Sequence, residues 1–104
     1  MRSKDAALAL AASFVGSVKN GGIRITAAFL FGSYAHDEQR DESDIDIALV
    51  SPDFTGFRFD DLGRIARFKL QASPDIEVHT FPEKDFTPEN PFVKSVILTG
   101  LKVA

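Results

Sequence analysis

Residues 25–31 read Ile-Thr-Ala-Ala-Phe-Leu-Phe, a β-branched and aromatic run without a single charge. A strand of that kind is too apolar to keep one face in water, so it belongs at the centre of a sheet with both faces covered. The covering layers have to come from the same 104 residues. At this length folding buries roughly two thirds of the surface that the unfolded chain exposes. That supports one small core in one domain, 1–104, and a site that is an open cleft instead of an enclosed cavity.

The flanking segments supply the layers. Residues 3–19 are strong helix formers, with Ala7, Leu10, Phe14 and Val18 recurring at three- and four-residue spacing, and Asn20, Gly21 and Gly22 stop the helix. The strand over 25–31 ends at Gly32 and Ser33, and a polar, acid-rich connection over 34–43 follows. In residues 44–50 Asp44, Asp46 and Ala48 fall on one face and Ile45, Ile47 and Leu49 on the other, which predicts a strand with one wet end. Pro52 closes it. A second helix is expected over 60–71, with Leu62, Ile65, Ala66 and Leu70 as its apolar stripe and Asp60 or Asp61 as its N-cap. Residues 75–81 alternate as a third strand, with Asp75, Glu77 and His79 on one face and Ile76, Val78 and Thr80 on the other. A short helix over 91–99 and a terminal apolar strand over 101–104 complete the chain. Helix, strand, strand, helix, strand, helix, strand is an α/β (α+β) layer structure with a small mixed sheet flanked by helices.

The composition narrows the function classes. A net charge of -3 argues against a dedicated nucleic-acid binder, which usually shows a strongly basic stripe, so no direct nucleic-acid partner is expected. Without cysteine there is neither a disulfide framework nor a thiolate ligand or nucleophile. The opening MRSKDAALALAAS has the outline of a signal peptide, but Asp5 and the continuing helical pattern mark a domain helix, which implies a cytoplasmic protein without a membrane segment. Ten Phe beside one Tyr and no Trp is an aromatic surplus. It reads as a Phe-rich core or as apolar surface shared with a partner.

Two aspartates at i and i+2 of a strand project to the same side, about 6 to 7 Å apart at the backbone. Their carboxylates repel unless something neutralises them, and their most useful arrangement is around a hard cation. Mg²⁺ prefers carboxylate oxygens and usually keeps waters and substrate phosphates in its remaining positions. Upstream, Gly32 ends a strand where a glycine lets backbone amides approach phosphate, and Ser33 adds a hydroxyl donor. Taken singly, an Asp-x-Asp at a strand end and a Gly-Ser turn are commonplace.

Taken together, the segment FLFGSYAHDEQRDESDIDIALV closely resembles the signature of the nucleotidyltransferases of the DNA polymerase β-like superfamily, in particular the minimal nucleotidyltransferase (MNT) family. Gly32-Ser33, ten intervening residues and Asp44-Ile45-Asp46 reproduce that family's G-S-x10-D-x-D, with Tyr34-Ala35 after the serine and Ser43 before the first aspartate. The family's layout of leading helix, third strand, closing helix and terminal strand also fits, so the resemblance spans essentially the whole chain and implies the nucleotidyltransferase fold.

The resemblance implies that Gly32 and Ser33 engage the triphosphate while Asp44 and Asp46 bind Mg²⁺, two ions being expected. A nucleoside monophosphate, AMP from ATP, would pass to a hydroxyl acceptor with release of pyrophosphate. The family completes its metal site with a third carboxylate on a later strand. Glu77 in DIEVHTF is the best match, and Asp75, on the same face, is the fallback. Stand-alone domains of this size resemble the antitoxin of two-protein modules, which modify or bind a helical HEPN-type toxin, so protein adenylylation is the expected activity. The alternative is a binding-only antitoxin or nucleotide sensor without turnover. Transfer to a small molecule such as an aminoglycoside is a third reading, but relatives doing that carry an additional helical domain.

The family often continues Gly-Ser-x-Ala with Arg-Gly where this chain has His36-Asp37, which removes a phosphate-facing cation and favours the alternative. Asp37, Glu38, Asp41 and Glu42 read as a solvated loop. His36 and His79 are candidate ligands or acid-base groups, with His36 nearer the signature. Arg58, Arg64, Arg67 and Lys69 around the second helix are candidates to meet phosphate or an acidic partner, or simply to form a solvated helix face.

Overall fold

A computed structural model describes residues 3–36 and 44–104. The acid-rich loop carrying Asp37, Glu38, Asp41, Glu42 and Ser43 lies outside the described residues. In chain order the elements are α1 (Lys4–Asn20), β1 (Ala27–Phe31), β2 (Ile45–Ser51), α2 (Arg58–Ala72), β3 (Ile76–Pro82), α3 (Pro91–Thr99) and β4 (Leu101–Lys102). The strands form one sheet in the order β3-β2-β1-β4. β1 runs antiparallel to β2 and β4, whereas β2 and β3 are parallel, so the sheet is mixed as expected. A parallel pair needs a long crossover, and α2 supplies it.

The apolar alternation of the strands separates two faces. Leu30, Ile45, Ile47, Leu49, Ile76 and Val78 point to the main core, where they meet Ala7, Ala11, Phe14 and Val18 of α1 and Ile65 and Phe68 of α2. The alanines of α1 let its backbone lie close to the sheet, and fully buried Phe14 fills the space beyond them. Burying a side chain of that size stabilises by roughly 1.5–3 kcal/mol. Ser3 caps α1 by accepting the amide of Ala6 at 3.1 Å. From Lys4 on, the segment with a signal-peptide outline lies in α1, which packs on the core, and no described helix is long and apolar enough to cross a membrane.

The opposite face is covered in part by α3. Phe92 of α3 packs edge-on against Phe31 at 5.4 Å and stacks with Phe81 at 5.9 Å, while Phe86 stacks with Phe29 at 5.7 Å. Much of the Phe surplus thus builds a second, smaller apolar cluster, which explains why β1 is apolar on both faces. Phe57 and Phe59 are instead exposed at the start of α2.

α2 departs from the expectation in two ways. It begins at Arg58, and neither Asp60 nor Asp61 is its N-cap. Asp61 instead lies in the first turn, fully buried, and its carboxylate accepts the amides of Thr55 and Gly56 at 2.8 and 3.0 Å and the Thr55 hydroxyl at 3.1 Å. A buried carboxylate is tolerable when donors satisfy it in this way, and here it ties down the loop after β2. The helix is also rotated relative to the predicted stripe: Asp61, Ile65 and Phe68 face the core, while Leu70 is exposed. Phe68, hidden between two cations in the sequence, offers more apolar area than Leu70 and wins the buried position.

At the end of the sheet away from Gly32, Arg24 binds Asp53 with its guanidinium at 2.6 and 3.1 Å and its amide at 2.9 Å. The paired donors hold the Asp53 carboxyl down at about 2, the side-chain hydrogen bond contributing most.

Candidate active site

β1 ends at a residue that only glycine serves well. Gly32 has φ +75°, in the left-handed region, and opens a single 3-10 turn, Gly32–Tyr34. Its carbonyl accepts the amides of Ala35 and His36 at 3.1 and 3.2 Å. Tyr34 is buried and anchors the turn in the core, which leaves Ser33 half-buried between two fixed neighbours. A β-carbon on Gly32 would run into the carboxylate of Asp46. The glycine that the sequence offered as an approach for phosphate thus leaves room for an acid one strand away, which the sequence did not reveal.

Register then decides which acids meet. Asp46 on β2 pairs with Phe31 on β1 and with Glu77 on β3, so all three stand in one row on the face that α3 covers only in part. Glu77, not Asp75, joins Asp46, and His79 completes a group whose ligand atoms all lie within 4.8 Å of one another. His79 Nε2 stands 3.9 Å from an Asp46 oxygen and 3.8 Å from a Glu77 oxygen. Asp44 is exposed immediately before β2 and outside this group.

The sequence put His36 ahead of His79 by its place beside the signature, whereas the structure brings His79, not His36, to the two acids. The available signal was its position two residues after Glu77 on the same strand face, but a single histidine on a strand is ambiguous without its neighbours. Here its ring is pinned edge-on to Phe31 at 5.0 Å and beside Phe92 at 5.9 Å, which fixes the imidazole on the acids. His36 is exposed on the turn after Ser33.

The side chains of Asp46 and His79 are each 23% exposed and that of Glu77 49%, so an ion has access from solvent to a partly desolvated donor set. Two carboxylates and one imidazole fit a divalent cation chemically: the oxygens are hard anionic donors, and the negative charges need a counter-ion once drawn together. The basic residues of α2 divide. Arg64 donates to the Asp53 carbonyl at 2.5 Å, and the Arg67 guanidinium lies 4.6 Å over the Phe68 ring, so both have local partners. Arg58 and Lys69 border a groove of about 210 Å³ between α2 and β3, floored by Leu62, Ile65, Ala66 and Val78 and reaching Glu77.

Comparison with known proteins adds to this geometry. The profile of a family described as nucleotidyltransferase domain matches residues 13–103. A solved structure of a candidate nucleotidyltransferase from Sulfolobus solfataricus superposes with a TM-score of 0.65 at 25% sequence identity, covering 78% of this chain and 71% of that one. No curated protein matches the chain.

Proposed function

The chain belongs to the nucleotidyltransferase domain family, and from that premise we propose that it transfers AMP from ATP to a protein hydroxyl, as the modifying antitoxin of a two-protein module with a helical HEPN-type toxin. The observation that carries the catalytic part is the convergence of Asp46 and Glu77 on one sheet face, beside a glycine whose missing β-carbon makes room for the Asp46 carboxylate.

In this reading Asp44, Asp46 and Glu77 hold divalent cations, which supply charge neutralisation for the phosphates and polarise the reacting oxygens. Gly32 and Ser33 hold the triphosphate, the serine through its hydroxyl and the turn through its amides. The acceptor oxygen forms a bond to the α-phosphorus while the bond from that phosphorus to the bridging oxygen breaks, and pyrophosphate leaves. Glu77 takes the proton of the acceptor hydroxyl. Little covalent work falls to the protein in such a transfer, so positioning and charge dominate. Those are the properties that a rigid parallel strand pair provides.

The test mixes the chain with its toxin, Mg²⁺ and ATP labelled at the α-phosphate, with γ-labelled ATP as control. The expected result is α-label on a toxin hydroxyl, most simply a tyrosine located by mass spectrometry, and no γ-label. Stable complex formation without added adenylate while Mg²⁺ and ATP are bound would replace the enzyme by a binding-only antitoxin. Undiminished Mg²⁺-ATP affinity in an Asp44→Asn, Asp46→Asn double variant would remove the metal site itself.

A further inference from the structure

The acids of the cleft do not stand alone. His79 presents Nε2 toward both Asp46 and Glu77 at nearly equal distances, and its ring is held by Phe31 from β1 and Phe92 from α3. Three elements thus combine to aim one nitrogen at the point where two carboxylates converge. Simple packing would not require this, because a histidine on this face could equally turn its nitrogens to solvent.

We propose that His79 is a direct ligand of the divalent cation held by Asp46 and Glu77, and that it biases this site away from Mg²⁺ toward ions that take an imidazole nitrogen more readily, such as Mn²⁺. The inference rests on the reading of Asp46 and Glu77 as metal ligands. Its chemistry is that of donor hardness. Mg²⁺ favours oxygen and gains little from replacing a water by imidazole; Mn²⁺ also suits oxygen ligands but takes an imidazole nitrogen more readily than Mg²⁺ does, and the later first-row ions more readily still. An all-carboxylate set favours neither so clearly. Phe31 and Phe92 strengthen the bias, since an imidazole already fixed in place loses little side-chain freedom on binding.

The full chain, free of nucleotide, is titrated with Mn²⁺ and with Mg²⁺ by calorimetry, and the Mn²⁺ complex is examined by electron spin echo modulation for coupling to a directly bound ¹⁴N. The expected results are tighter binding of Mn²⁺ than of Mg²⁺ and a ¹⁴N coupling in the wild type. In His79→Gln that coupling disappears, Mn²⁺ affinity falls by about ten-fold, and Mg²⁺ affinity changes by less than about two-fold. Retained Mg²⁺ binding also shows that the variant is folded. His79→Asp, which replaces the imidazole by a further carboxylate, shifts the preference back toward Mg²⁺. Mn²⁺ bound to the wild type without ¹⁴N coupling, or an unchanged ratio of affinities in His79→Gln, would overturn the role of His79 and leave the carboxylate site standing. Failure of the underlying reading looks different: Asp46→Asn would then bind both ions as the wild type does.

Discussion

Gly32→Ala tests the link between the turn and the acids. Two effects separate on structural grounds. The first is backbone strain: φ at Gly32 is +75°, and a left-handed L-residue costs roughly 1–2 kcal/mol. For a domain of this size that corresponds to a fall in Tm of about 5–10 °C. The second effect is local. The new β-carbon collides with the Asp46 carboxylate, which must swing away by about 1 Å to reach ordinary contact distance. A displacement of that size at a reacting centre costs on the order of 100-fold in rate. Gly22→Ala is the control, because Gly22 has φ +94° and nothing near its absent β-carbon, so it carries the strain without the collision. Thermal unfolding, divalent-ion titration and nucleotidyl-transfer rates would be measured on both variants. Both lose stability, and only Gly32→Ala loses ion affinity and rate. Equal rates in the two variants would refute the argument that Gly32 exists to make room for Asp46.

Two further outcomes follow from the same structure. Glu77→Gln should lower the transfer rate by about 100-fold or more, well beyond its effect on ATP affinity, because besides one cation ligand it removes a proton acceptor needed chiefly in the transition state. Asp75→Asn should leave the rate within a few-fold, and the reverse pattern in steady-state kinetics would place the third acid two residues earlier. At the other end of the sheet, the folded Asp53 carboxyl is depressed to about 2 by Arg24. Its contribution to stability is therefore complete above the unfolded value near 3.9 and is lost as pH falls from about 4 through about 2. Thermal unfolding of wild type and Asp53→Asn should show a gap at pH 6 that closes on acidification, and a gap independent of pH would refute the pairing.

Sequence patterning carried most of the local structure, because its causes are local. Three- and four-residue spacing marked α1, alternation marked β2 and β3, and Asn20, Gly21 and Gly22 marked a stop. The exceptions were positions where tertiary area outbid the pattern, as when Phe68 displaced Leu70 from the core and Asp61 was buried to hold the Thr55 loop. The Phe surplus was visible in the composition, but its division between a second apolar cluster around α3 and the exposed start of α2 was not.

The site divides in the same way. Gly32, Ser33, Asp44 and Asp46 form one linear motif whose spacing is covalent, so the sequence by itself determined that a strand end with paired acids follows a glycine turn. Which residue of β3 faces Asp46 depends on the register of two strands separated by the whole of α2, and a slip of one residue would turn every side chain to the other face. Only the folded sheet decided that Glu77 stands opposite Asp46. Only the packing of Phe31 and Phe92, from two different elements, decided that the His79 imidazole turns inward to meet them.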